Sequence, residues 1–107
     1  MTKITLYRTD DVWMGFRALG HAGYAEQGED IVCAGISILT INCVNSIERF
    51  TEDFFTLNTD EETGLIDFQF SRKPSEKSQL LMDSLVLGLE DLEREHNSFL
   101  LLDYKEV

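Results

Sequence analysis

The chain has 107 residues, 43% of them hydrophobic, with a single proline and seven glycines. That suffices for one domain with its own core over residues 1–107 and excludes collagen-like, proline-rich or disordered classes. Twenty acidic against nine basic side chains give a net charge of −11. This disfavours direct nucleic-acid binding and anionic membranes, which both call for Lys and Arg. The charge is uneven, at −2 over residues 1–50 and −9 over residues 51–107, so a basic partner would meet the field of the second half.

Residues 3–9 alternate like a strand, Asp10-Asp11 signals a turn, and residues 12–19, with Trp13 expected in the core, read as the return strand of a hairpin. A loop follows from Gly20 to Asp30, punctuated by Gly20, Gly23 and Gly28; loops of that length usually carry function. Ile31 to Phe50 has β-branched residues, but its length without a turn signal favours a largely buried helix. Asp30 is its expected N-cap, and Ile36, Cys43, Ile47 and Phe50 share one face. Residues 53–58 and 65–70 read as strands joined by a loop over Thr59–Gly64. Ser75 then caps a second helix, with Leu81, Leu85, Leu89 and Leu92 as its apolar stripe. Glu90, Asp91, Glu93 and Glu95 crowd its C-terminal end against the macrodipole. Asn97 is the expected left-handed stop, and Phe99–Tyr104 the last strand. The order is ββαββαβ, an α+β domain of one mixed sheet and two helices.

The N-terminus lacks a signal-type apolar core, and the longest apolar run, Ile31–Leu39, is broken by Ser37 and far short of a membrane span. A cytoplasmic chain without membrane contact is the expectation, with Cys33 and Cys43 as reduced thiols. On one helix their Cα atoms would stand about 15 Å apart, too far for a disulfide.

Chemistry concentrates in Gly20-His21-Ala22 and in Asp30-Ile31-Val32-Cys33-Ala34. With Asp30 as N-cap, Cys33 is the third helical residue, where unpaired amides and the macrodipole favour a thiolate. The backbone amides of Cys33 and Ala34 could hold an oxyanion. His21, at a strand end beside a glycine, could fold over that helix start and serve as base and then acid. Asp30 or Glu29 is placed to orient it, and Ser37 shares the helical face of Cys33. The plainer readings stand beside this one: Cys33 as a small core residue, His21 as a hydrogen-bonded structural histidine, Cys43 as core. Zinc-type spacing is absent, as is any phosphate cradle or cofactor fingerprint, so neither metal nor cofactor is expected.

Gly20-His21-Ala22, the run Gly28-Glu29-Asp30-Ile31-Val32-Cys33-Ala34, and Ser37 together resemble the signature of the ribosomal-processing cysteine protease Prp family. The resemblance implies a cytosolic cysteine endopeptidase that removes a short N-terminal extension from the precursor of the twenty-seventh large-subunit ribosomal protein. It implies cleavage after a Phe-Phe pair and action as a homodimer. His21 and Cys33 match the catalytic pair, Asp30 and Ser37 match residues of the same site, and Gly20 to Asp30, with Ala22, Gly23, Gly28 and Glu29, matches a mobile loop. The rival from another class is a non-enzymatic adaptor for a basic ribosomal or other protein, its cysteine and histidine being structural. The family reading adds a basic substrate that the acidic second half would attract.

Overall fold

The computed structural model describes residues 1–20 and 29–107. The order is β1 (Thr2–Thr9), β2 (Val12–Leu19), α1 (Glu29–Phe50), β3 (Phe55–Asp60), β4 (Leu65–Phe70), α2 (Glu76–Glu95) and β5 (Leu100–Glu106). The sheet runs β3-β4-β2-β1-β5, with β5 parallel to β1 and every other neighbour antiparallel. The expected α+β class and ββαββαβ order are those observed.

Alternation along the strands sets which face is covered. Ile4, Leu6, Phe16, Phe68, Leu100 and Leu102 point to one side and are buried, whereas Lys3, Arg17, Leu101 and Asp103 are exposed on the other. Both helices pack on the buried side, and against each other through two glycines. A Cβ at Gly88 would meet Leu39 Cδ2 at 2.9 Å, and one at Gly35 would meet Leu92 Cδ2 at 3.3 Å. Small residues therefore let α1 and α2 approach antiparallel. Trp13 is buried, as expected, and its indole N–H donates to Asp83 at 2.9 Å.

Several boundaries differ from the sequence reading. β3 starts two residues later and takes in Thr59 and Asp60, so the turn is shorter than the predicted loop. The stop after α2 is His96 (φ −135°, ψ 46°) rather than a left-handed Asn97, because the His96 N–H is taken up by the carbonyls of Leu92 and Glu93. The last strand runs Leu100–Glu106, later than expected, extended by its parallel pairing with β1. Nor is α1 largely buried. Val32, Ile36, Cys43, Val44 and Ile47 enter the core, but Phe50 is 65% exposed and Ile38 69%. In a two-layer fold the outer helical face has no third layer over it among the described residues. By length and composition alone, α1 is long and apolar enough to cross a membrane. Its polar interruptions (Ser37, Thr40, Asn42, Asn45) are uncharged, but its inner face is part of the sheet core.

The acidic end of α2 is held by β5. Glu90 accepts from the Tyr104 hydroxyl at 2.9 Å, Glu93 accepts from the Leu102 N–H, and Asp91 pairs with Arg94. The two partners on β5, with the Asp91–Arg94 pair inside α2, thus offset the unfavourable macrodipole.

Where α1 hands over to β3, Asp53 accepts hydrogen bonds from the Ser75 hydroxyl (2.6 Å), the Ser75 N–H (3.1 Å) and the Ser78 hydroxyl. Ser75 is the N-cap of α2, as expected. Burial pushes the Asp53 carboxyl up, but the hydrogen bonds from Ser75, Ser78 and Thr51 outweigh it and hold its pKa below the ordinary value. A depressed folded pKa means that ionised Asp53 stabilises the fold above the unfolded value of about 3.9, and that this contribution is lost as pH falls through the folded pKa. Asp53→Asn is therefore expected to lower Tm at neutral pH, with its gap from wild type closing below about pH 4. Thermal melts across that range check it, and a gap independent of pH refutes the linkage.

Candidate active site

β2 ends at Leu19, and two hydrogen bonds hold Gly20, the next residue, in place. Its N–H donates to the Thr63 carbonyl at 3.1 Å in the β3–β4 turn, and its carbonyl accepts from the Thr2 hydroxyl at 3.0 Å. Its φ of +100° is a glycine conformation, and a Cβ there would meet the Met1 carbonyl oxygen at 2.9 Å. The chain thus leaves the sheet at a fixed point, immediately before His21 in sequence. His21, Ala22, Gly23 and Gly28 lie outside the described residues, as does the Glu29 side chain, so the expected His21–Cys33 pairing and its orientation by Glu29 or Asp30 are not described.

Cys33 sits near the start of α1, half-buried, and opens onto a cleft of about 490 Å³ between α1 and the β3–β4 hairpin. One wall is the α1 row Cys33, Ser37, Ile41 and Asn45, together with Ile36 and Val44. The floor and far wall come from the inward positions of the sheet: Ala18, Gly20, Leu57, Thr59 and Ile66. Asp60, Glu61, Gly64 and Leu65, around the hairpin turn, close the rim. The cleft is mainly apolar, carries acidic groups at the rim and has no Lys or Arg among these residues.

Of the predicted site residues, Gly20, Cys33 and Ser37 come together in this cleft; Asp30 is exposed and does not line it. Two expectations need correction. Helix α1 starts at Glu29, so Asp30 is a helical residue rather than the N-cap, and Cys33 is the fifth helical residue rather than the third. At that depth the N–H groups of Cys33 and Ala34 face the carbonyls of Glu29 and Asp30 in the i to i−4 ladder. The amides free for an anion belong to the first turn, ahead of Cys33. The cleft residues contributed by β3 and β4 went unnoticed in the sequence, although strand alternation places Leu57, Thr59 and Ile66 inward. So did Asn45, which lies on the same helical row as Cys33.

The second thiol is of another kind. Cys43 is 4% exposed and donates weakly to the Leu81 carbonyl at 3.7 Å, and burial pushes its pKa up to about 12. It stays protonated and packs as core, as the sequence suggested.

Comparison with known proteins bears on the family and the overall fold. The family model for cysteine protease Prp matches residues 1–100. The ribosomal processing cysteine protease Prp of Bacillus subtilis is 31% identical over 101 residues, which is 90% of each chain. Among solved structures, the essential ribosomal processing protease Prp of S. aureus in complex with a substrate peptide superposes with a TM-score of 0.91 at 27% identity, over 98% of this chain and 100% of that one. The same S. aureus protease with a covalently linked product peptide gives a TM-score of 0.88 at 28% identity, over 98% and 100%.

Proposed function

The chain belongs to the cysteine protease Prp family, and on that premise we propose that it is a ribosomal-processing endopeptidase with Cys33 as nucleophile and His21 as its acid–base partner. The observation that carries this reading is the contrast between the two thiols. Cys33 opens onto a peptide-sized cleft, and Cys43 is sealed in the core. The Cys33 thiolate attacks the scissile carbonyl, and the resulting tetrahedral oxyanion is stabilised by the positive end of α1. The carbonyl re-forms as a thioester while His21 protonates the departing amine. His21 then takes a proton from water, which attacks the thioester and releases the acid and the thiolate. Ser37, beside Cys33 on the cleft wall, supports this pair. The substrate is the N-terminal extension of a basic large-subunit ribosomal protein precursor, the twenty-seventh, cut after Phe-Phe. The apolar walls of Ile36, Ile41, Val44, Leu57 and Ile66 suit aromatic side chains. Mass mapping of products from a peptide carrying that extension tests the assignment. Cleavage at any other bond, or none, overturns the substrate.

The acidic charge adds a long-range term. Residues 51–107 carry −9, and Asp60 and Glu61 rim the cleft. Raising salt from about 0.05 to about 0.5 M shortens the Debye length from over 10 Å to under 5 Å and is expected to lower kcat/KM on the intact precursor several-fold. A rate independent of salt leaves the acidity to solubility alone. We further propose that the enzyme works in the cytoplasm as a homodimer. Ile31, Ile38, Leu80 and Leu87, exposed on the helix layer, supply apolar surface for a second copy. Sedimentation velocity at micromolar concentration checks this, and a monomer there refutes it.

A further inference from the structure

Cys33, Ser37, Ile41 and Asn45 recur every fourth residue along α1 and line one wall of the cleft. Residues at that spacing stack along one side of a helix. Asn45 closes the row, and the twelve-residue step from Cys33 to it corresponds to about 18 Å along the helix axis. An extended peptide covers that distance in about five residues. Asn45 is exposed, its amide makes no hydrogen bond among the described residues, and the lining beside it is apolar, from Ile41, Val44 and Leu57.

A carboxamide offers one acceptor and two donors, the complement of a backbone peptide group. At the end of an apolar trough it is the group placed to satisfy the N–H and C=O of a bound strand, whatever that strand's side chains. We propose that Asn45 binds the substrate backbone about five residues from the scissile bond, so that the enzyme measures the length of peptide on one side of the cut. This rests on the protease reading above and adds to it a residue that grips chain rather than sequence. Because Asn45 lies far from the reacting carbonyl, its contacts hold ground state and transition state alike and act on KM rather than kcat.

The test uses two peptide series that keep one cut site and grow a residue at a time on either side, from about two to about seven residues. For wild type, KM is expected to fall about tenfold as one side passes about five residues, in line with one or two hydrogen bonds. In Asn45→Ala that fall shrinks to about twofold or less with kcat retained. Asn42→Ala, an exposed α1 position off the cleft, keeps the wild-type fall. An equal fall in wild type and Asn45→Ala, no fall on either side, or a loss confined to kcat overturns the proposal while leaving the protease reading in place. Failure of the wild type to cut any peptide overturns both.

Discussion

Replacing Cys33 by alanine is expected to reduce peptide cleavage to background, a loss on the order of a million-fold in kcat, as when the nucleophile of a covalent hydrolase is removed. The size follows from the mechanism, since an alanine side chain has no group that can form the acyl intermediate. Peptide affinity should change little, because the apolar walls that hold the substrate are untouched. Cys43→Ala is the matching variant. Cys43 contributes packing beneath α2, where its thiol faces the Leu81 carbonyl and the Met82 sulfur, so its loss costs about 1 kcal/mol of stability and leaves kcat near wild type. Alkylation reports the same difference without substrate. Brief iodoacetamide treatment of the native protein should add one carbamidomethyl group, on half-buried Cys33, and none to Cys43, whose pKa near 12 and burial keep it protonated. Cys33→Ala should then take none until it is unfolded. Retained cleavage in Cys33→Ala, or loss in Cys43→Ala at full stability, would place the nucleophile elsewhere.

How far this site could be read in the sequence depended on whether local pattern or tertiary context decided each feature. The strands at 12–19 and 65–70 and the Ser75 cap were legible because alternation and capping are local. The GHA and DIVCA runs pointed to Cys33 for the same reason, as a thiol near a helix start. What the sequence misjudged was set by neighbours far along the chain. Phe50 keeps the helical phase of Ile47 yet lies exposed as the last residue of α1, where no helical turn follows to set it against the core. The start of α1 at Glu29 shifted Cys33 deeper by two positions, and with it the amides thought to serve the oxyanion. The far wall of the cleft required knowing that β3 sits at the sheet edge beyond α1, a matter of strand order that no window of sequence contains.

The same dependence on strand order predicts the largest stability effect, at a residue with no part in the chemistry. Gly15 lies mid-β2, between β1 and β4, opposite Tyr7 and Gln69. The pairing with β1 slips next to it: Tyr7 faces Gly15 and Arg8 faces Trp13, so Met14 is the extra residue of a bulge. At Gly15 the backbone has φ +156°, and a Cβ would stand 2.2 Å from the Phe68 carbonyl oxygen and 3.0 Å from the Gln69 Cα. These are backbone atoms of the neighbouring strand and cannot rotate away, so relief requires separating β2 from β4. Gly15→Ala is therefore expected to cost about 3 kcal/mol or more, lowering Tm by about 15 °C in a domain of this size. Gly88→Ala supplies the contrast. Its Cβ would press on Leu39 Cδ2 at 2.9 Å, the end of a flexible side chain, and alanine returns about 1 kcal/mol of helix propensity. Its net change should stay within about 1 kcal/mol. Thermal melts of both variants decide the matter: a Gly15→Ala protein as stable as Gly88→Ala would mean that β2 and β4 can part without cost. The Cys33 cleft would then rest on a looser floor than this sheet provides, since Ala18 and Ile66, which line it, are directly paired across the same two strands.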